Sequence, residues 1–323
     1  MKLRITIYLL LGVAVVLLPL IAPPVMNNMI LRVGSLVMLA ISWNLAANAG
    51  LISLGHSAFW GLGSYAALLV ANKLGWPFFM SLIPAMIVGA VSAAAIAVIT
   101  GRLKGIFFAI SMLALSEGLR VLAVMTPAFT GGGAGVFIDQ ALRPSTETVA
   151  MVTAFCAVGC AFIAYFVSLT PFHYACRAMR NNESASEMLG INPLRFRIAV
   201  LSLSGAMASL AGGVNIWYSG FLDPMIGFDL HVTILAQIAP ILGGIHTLAG
   251  PIIGAFATIG LSEFTRVMLG EQGISLLVYG MILVFSILYM PKGMVGTWTN
   301  WLQNRTRGRA DDRMSGATKA APL

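Results

Sequence analysis

The chain has 323 residues, of which 59% are hydrophobic and only 9% are charged, and its mean hydropathy is +0.90. Because a soluble domain carries about 25% charged residues, this composition excludes a protein whose surface faces mainly water. The net charge is +8, and the positive residues are distributed along the chain as membrane topology requires, so the charge does not indicate nucleic-acid binding. The composition predicts an all-α, polytopic membrane protein, since a helix satisfies its own backbone hydrogen bonds in lipid.

About ten apolar segments are candidate membrane spans, and we expect them to form two loosely repeated halves. Together they predict one transmembrane domain over residues 1–302, followed by a disordered cytoplasmic tail over 303–323 that is polar and basic. The first segment is interpreted as a retained span, because two prolines and not a small-residue cleavage site follow it. The candidate spans are 6–23, 29–48, 51–72, 77–99, 106–126, 148–170, 198–217, 231–245, 251–268 and 274–290.

The positive charges predict the orientation of these spans. With a cytoplasmic N-terminus, 14 of the 19 Lys and Arg residues fall on the cytoplasmic side, which is the asymmetry expected of a membrane protein. The C-terminus, the loop that holds Arg102 and Lys104, and the polar stretch 171–197 are then cytoplasmic as well. The remaining five residues are expected outside (Arg32, Lys73, Arg143) or within spans (Arg120, Arg266).

Residues 50–65, with the sequence GLISLGHSAFWGLGSY, interrupt an otherwise apolar region with glycine and polar side chains. Glycines permit a broken helix, which is tolerated at membrane depth only beside protein or water. Ser53, His56 and Ser57 are therefore candidates to line a translocation path. His56 is equally compatible with a buried packing role. A similar glycine-rich element at 243–251 precedes the ninth span.

A seven-residue pattern occurs twice, as LSEGLRV at 115–121 and LSEFTRV at 261–267. In both copies the glutamate and arginine are three residues apart, so each pair lies on one helix face and can form an ion pair. Charges in lipid are costly, so these faces should point into the bundle or a wet cavity. The pairs either border a translocation path or clamp helices together: Glu117 with Arg120, and Glu263 with Arg266.

The polar stretch 171–197, with the sequence PFHYACRAMRNNESASEMLGINPLRFR, lies between two long apolar segments. Asn181 or Asn182 can cap a helix, Glu183 suits its first turn, and Gly190 suits its end. This pattern predicts a helix of about two turns between two spans. Such a polar helix is either a docking surface for a soluble partner or a solvated loop that sets topology.

The sequence contains no HExxH, GxSxG or P-loop motif, and no pair of carboxylates poised for hydrolysis. The three cysteines suggest neither a disulfide nor a zinc framework. We therefore expect no catalytic residues, no metal site and no bound cofactor, and the chain is not expected to be an enzyme.

Several motifs, in order along the chain, resemble those of LivM-type membrane permeases from ABC importers of branched-chain amino acids. Residues 50–65 are similar to the family's GxxSLGHxAFxGxGAY element, and 102–115 to its RLRGxYFAxxTLA segment. Further similar segments lie at 177–213, 221–255 and 290–296.

The resemblance implies that this chain moves a solute inward while a separate ATPase binds the ATP. It also implies two cytosolic ATPase subunits, a second LivH-like permease, an external solute-binding protein, and a bacterial inner-membrane location with both termini cytoplasmic. In this family the central helix fits a cleft on the ATPase. The residues carried over to that contact are Arg177, Arg180, Glu183, Ala185, Glu187, Gly190 and Ile191.

Two alternatives remain at this stage. The paired intramembrane charges also suit an ion-coupled secondary transporter. Within the wider family, related permeases move urea, amides or aromatic acids, and this chain departs from the usual motifs at Ser111, Met112 and His246, where the family commonly has other residues. These departures leave the solute open.

Overall fold

The computed structural model describes residues 2–269, 274–289 and 293–298. The first half contains α1 (Lys2–Leu17), α2 (Pro24–Asn48), α3 (His56–Leu74), α4 (Phe78–Ile99), α5 (Gly105–Met125), α6 (Pro127–Thr130) and α7 (Thr146–Ser168). The second half contains α8 (Pro171–Asn181), α9 (Glu183–Met188), α10 (Pro193–Ser219), α11 (Pro224–Gly227), α12 (Leu230–Gly243), α13 (Gly250–Leu269) and α14 (Ile274–Tyr289), and residues 293–298 are also helical. Two short strands, β1 (Val136–Phe137) and β2 (Phe221–Leu222), pair antiparallel.

Within the described part of the chain, six stretches of helix are long and apolar enough to cross a membrane, which confirms an all-α membrane protein. They are α2, α4, α5, α7, α10 and the combined stretch Pro224–Gly243 that holds α11 and α12. The other four predicted spans correspond to α1, α3, α13 and α14, so the count of ten and the two repeated halves stay predictions. The tail predicted at 303–323 lies outside the described residues.

The structure adds two details to the predicted spans. The third span, predicted at 51–72, is helical only from His56, and the preceding residues 49–55 form a largely buried connection that is not helical. Gly50 has a φ of +79°, a left-handed conformation that glycine adopts without steric cost. Arg32, predicted on the outer side, lies in the first half of α2, where its guanidinium contacts Glu263.

The core is centred on α10, which packs against α4, α3 and α2. Small residues along α10 allow this packing, since they let helix backbones approach closely. A Cβ atom at Gly205 would lie 2.6 Å from the carbonyl oxygen of Gly89 on α4. The glycines of this sequence therefore act here as helix-packing residues.

Replacing Gly205 with leucine is expected to destabilise the protein by about 1–3 kcal/mol, because the added side chain has no space between α10 and α4. The measurement is the melting temperature of the detergent-solubilised protein. Gly159→Leu is the matched control, since a Cβ atom at Gly159 on α7 meets nothing within 4 Å. Equal melting temperatures for the two variants would contradict this account of the core.

The connections of the bundle are divided between its two ends. At one end, which we call the α9 end, the loop at 101–104 contacts α9, and the loop at 244–249 contacts the last turns of α2. At the opposite end, the Asn72 side chain donates to the carbonyl of Phe137 in β1, at 2.8 Å. The loop with Arg102 and Lys104 thus lies on the same side as 171–197, as the charge pattern predicts.

Candidate functional site

The short helix α9 begins where the sequence places a cap. The Asn182 side chain accepts a hydrogen bond from the backbone N–H of Ala185 at 3.1 Å, and Glu183 occupies the first turn. Gly190, with a φ of +85°, follows the end of the helix. Asn182, and not Asn181, is therefore the cap, and the helix has six residues.

A second helix, α8, precedes α9 and was missed in the sequence analysis, which predicted only one helix in this stretch. Pro171 stands at the start of α8, a position where proline is favoured because its missing N–H is not needed. Cys176 and Met179 are buried on one side, whereas Tyr174 and Arg177 are exposed on the other. The spacing of the buried residues is a helical signal that could have predicted α8.

The side chain of Glu183 joins three segments, an arrangement that we call the Glu183 cluster. One Arg197 nitrogen, Nη2, donates to both carboxylate oxygens of Glu183 at 3.1 Å, and Lys104 Nζ lies 2.8 Å from Oε2. The other nitrogen, Arg197 Nη1, donates to the carbonyls of Gly101 and Leu103 at 3.0 and 2.8 Å. The carboxylate of Glu183 therefore lies against the bundle and fixes α9 to the start of α10 and the 101–104 loop.

The outward face of α9 is apolar at its end. Met188 and Leu189 are 90% and 80% exposed. Ala185, Glu187 and Gly190 are also exposed, and Ile191 is half-buried. We call these six residues the α9 surface. The sequence analysis did not single out Met188 and Leu189, although two large apolar residues directly before a helix-ending glycine are a visible signal.

The three small polar residues proposed for a path, Ser53, His56 and Ser57, are all fully buried. The Ser204 hydroxyl donates to the carbonyl of Ser42 at 2.8 Å, so it accepts from His56 Nε2 at 3.1 Å. These contacts favour the packing interpretation of His56.

The neighbouring polar side chains are also bonded to other helices. The Ser57 hydroxyl lies 2.8 Å from the Ser116 hydroxyl and 3.0 Å from Thr233 Oγ1, and the Ser53 carbonyl accepts from Trp43 Nε1 at 2.9 Å. Because these bonds join α3 to α5 and α12, they brace the bundle at the level of His56.

Both repeated Glu–Arg pairs form ion pairs within their own helices. Arg120 Nη2 lies 2.7 Å from Glu117 Oε2 in α5, and Arg266 Nη2 lies 2.6 Å from Glu263 Oε2 in α13. The i, i+3 spacing therefore places the charges together as expected.

The surroundings of the two pairs differ. The Glu263 side chain is only 9% exposed and also contacts Arg32, so it joins α13 to α2. The Glu117 side chain is 44% exposed, although it lies well inside the apolar helix α5. The first arrangement suits a structural clamp, whereas the second leaves a carboxylate on the surface of a membrane helix.

Within the described residues, no group of three or more His, Cys, Asp or Glu side chains is arranged to hold a metal ion. The three cysteines are free thiols, and burial raises the pKa of Cys176 in α8 to about 12.

Apolar membrane helices, intramembrane ion pairs and an exposed helix between two spans define a multi-pass membrane protein of the transporter class. The chain belongs to the family described as the permease component of the branched-chain amino acid transport system, whose sequence profile matches residues 25–287. This family assignment agrees with the resemblance found in the sequence motifs.

The similar curated proteins carry the same description. The chain is 24% identical to the high-affinity branched-chain amino acid transport system permease protein LivM of Escherichia coli K12, over 88% of this chain and 74% of that protein. It is 25% identical to LivM of Salmonella typhimurium, over 85% and 69%. It is also 25% identical to the E. coli K12 permease LivH, over 76% and 86%. No solved structure matches the chain.

Proposed function

We propose that this chain is the membrane-spanning permease subunit of a bacterial ABC importer that moves branched-chain amino acids into the cell. A separate cytosolic ATPase would bind the ATP, and the chain itself would not act as an enzyme. Family membership supports the permease role, and the names of the LivM relatives support the substrate. The observation that carries the proposal is the α9 surface, because it offers a rigid contact for a soluble partner.

The energetics of the α9 surface support docking over a solvated loop. Burying one large aliphatic side chain contributes about 1.5–3 kcal/mol, so leaving Met188 and Leu189 in water gives up a sizeable gain. Because the Glu183 cluster already holds α9 in place, little conformational entropy of α9 would be lost when a partner binds. Beside the surface, a hollow of about 530 Å³ is lined in part by Glu187, Gly190 and Ile191.

We assign different roles to the seven residues carried over from the family. Ala185, Glu187, Gly190 and Ile191 border the contact with the ATPase. Glu183 positions α9 through its own ion pairs. Arg177 and Arg180 lie on α8, beside the α9 surface and not within it.

The exposed carboxylate on α5 supports a second permease subunit beside this one. Only 28% of the most apolar stretch of α5 is buried, and Glu117 and Arg120 lie on that helix. A charged pair that faces lipid is costly, so this face is better suited to a water-filled path between two permeases. We assign Glu117 and Arg120 to the path and Glu263 and Arg266 to the clamp. Ser53, His56 and Ser57 brace the wall behind the path.

The complete assembly would hold this chain, a LivH-like permease, two cytosolic ATPase subunits and an external solute-binding protein. The α9 end would face the cytoplasm, and ten spans in two related halves would place both termini there. The transmembrane domain would then cover 1–302, with 303–323 as a cytoplasmic tail.

Reconstitution in liposomes tests the function. The assembly is expected to take up labelled leucine, isoleucine or valine only with ATP and the binding protein. Uptake by this chain alone, driven by a proton or sodium gradient, would establish the ion-coupled alternative instead. Competition by urea, short amides or aromatic acids without competition by leucine would reassign the solute while leaving the importer role in place.

Glu117→Gln is expected to lower the transport rate about tenfold, which corresponds to ~1.4 kcal/mol in the barrier for a solute that passes this side chain. Because the substitution preserves shape and Glu117 is half-exposed, the melting temperature should hardly change. Glu263→Gln serves as the comparison. It removes a buried carboxylate and leaves its arginine partners without a counter-charge, so its main effect should be a lower melting temperature. Full transport by Glu117→Gln would remove this residue from the path.

A further inference from the structure

A polar crevice lies at the α9 end, where α2, α7, α8 and the 244–249 loop meet. Its volume is about 140 Å³, and Asn44, Asn48, His173, His246 and Thr247 supply its polar lining. It is separate from the α9 surface, with which it shares no residue. We call it the α2–α8 crevice.

The 244–249 loop is fixed against this crevice. The Asn44 side chain accepts from the backbone N–H of His246 at 2.9 Å and donates to the carbonyl of Thr247 at 3.0 Å. His246 has a φ of +65° and is the one non-glycine residue with positive φ in the described part of the chain. The two hydrogen bonds with Asn44 therefore hold the loop backbone in a strained conformation at His246.

Arg177 and Arg180 follow the lining residue His173 by four and seven residues along α8, so the three side chains lie on one helix face. Burial lowers the pKa of His246, and the positive charges of Arg180 and Arg177 lower it further, to about 4. Burial and the same two arginines also lower the pKa of His173. Both imidazoles are therefore neutral near pH 7, and the charge of the site comes from the two guanidinium groups.

Neither guanidinium is neutralised in the described part of the chain, where no carboxylate lies within ion-pair distance of Arg177 or Arg180. Arg180 Nη1 is buried without a hydrogen-bond partner. A buried donor without a partner is costly, so its presence beside uncompensated charge indicates a ligand that accepts hydrogen bonds.

We propose that the α2–α8 crevice binds a phosphate group through Arg180 and Arg177, with Asn48 and His246 completing the contact. A phosphate supplies the negative charge and the acceptor oxygens that the guanidinium groups lack. Asn48 and neutral His246 can each donate an N–H to it.

The surroundings favour the phosphate of an anionic phospholipid in the inner leaflet. Helix α8 is amphipathic, with Cys176 and Met179 buried and Tyr174 exposed by 64%. It directly follows the membrane span α7. Basic pockets between helices at the cytoplasmic interface suit such headgroups. A free inorganic phosphate offers the same chemistry and is distinguished by experiment.

Native mass spectrometry of the purified, delipidated complex tests the site. With phosphatidylglycerol or phosphatidylethanolamine added separately, we expect retained phosphatidylglycerol on the wild type and about tenfold weaker retention on Arg180→Gln. Arg177→Gln, a change at an exposed position that should not affect folding, is expected to weaken retention in the same direction. Arg195→Gln is the control, because Arg195 is also exposed but lies at the start of α10 and not on the α8 face that carries His173.

Titration with inorganic phosphate, followed by calorimetry, forms the second arm. Saturable phosphate binding that is lost in Arg180→Gln, without any preference among lipids, would support the site and identify free phosphate as its source. Unchanged binding of both ligands in Arg180→Gln and Arg177→Gln would overturn the proposal. ATPase association of these variants is measured in a separate experiment. The phosphate site can therefore fail its test while the importer assignment stands.

Discussion

The double variant Met188→Asp/Leu189→Asp is expected to lose ATPase binding and ATP-dependent uptake while the permease itself stays folded. Central apolar residues of an interface contribute about 2 kcal/mol or more each when removed, so the pair accounts for more than two orders of magnitude in affinity. Folding should be preserved because both side chains are almost fully exposed. The measurement is co-purification of the ATPase, together with the melting temperature of the permease.

Leu74→Asp provides the control for this experiment. Leu74 is 62% exposed at the end of α3, at the opposite end of the bundle, so the same polar substitution should leave ATPase binding intact. If the double variant retained full ATPase binding and uptake, α9 would not be the docking element.

Glu183→Gln is expected to have the second largest effect, on both stability and coupling. The Arg197 side chain is only 7% exposed, so loss of the carboxylate leaves a buried guanidinium without a counter-charge. Breaking a buried pair in this way costs about 3–5 kcal/mol, although the partly exposed Glu183 places the effect toward the lower end. The melting temperature of the complex and its ATP-driven uptake are the two measurements.

Two comparison variants separate the effect of where Glu183 lies from the effect of losing one negative charge. Glu187→Gln removes the same charge from the exposed side of α9, where none of the described ion pairs forms, and should leave the melting temperature unchanged. Adding Arg197→Met to Glu183→Gln should recover part of the lost stability, because no unpaired charge then stays buried. Equal melting temperatures for Glu183→Gln and Glu187→Gln would show that the Glu183 cluster does not hold α9.

The two Glu–Arg pairs illustrate how a repeated sequence can acquire different roles. Their internal geometry is the same, since the i, i+3 spacing alone brings each carboxylate to its arginine. Arg32, far away in sequence, adds a third charge at Glu263 only. Among the described residues, Glu117 has no ion-pair partner from another helix, and its side chain is 44% exposed. The pattern therefore predicted both pairs but could not distinguish the clamp from the candidate path.

The composition by itself determined the class of protein, because so few charges cannot cover a water-facing surface. Local spacing determined the features that depend on neighbouring residues, including a cap at Asn181 or Asn182, the end of α9 at Gly190 and the Glu–Arg pairs. Family motifs were sufficient to identify a permease, since they depend on residue order and not on packing.

Only the tertiary structure decided where the functional side chains point. It turned Glu183 toward Arg197 and Lys104, exposed Met188 and Leu189, and buried His56 against Ser204. The partners of Glu183 and His56 lie on other helices or loops, up to 148 residues away. Helical periodicity specifies which residues share a face of one helix, whereas the helix that packs against that face is specified by the fit of the whole bundle.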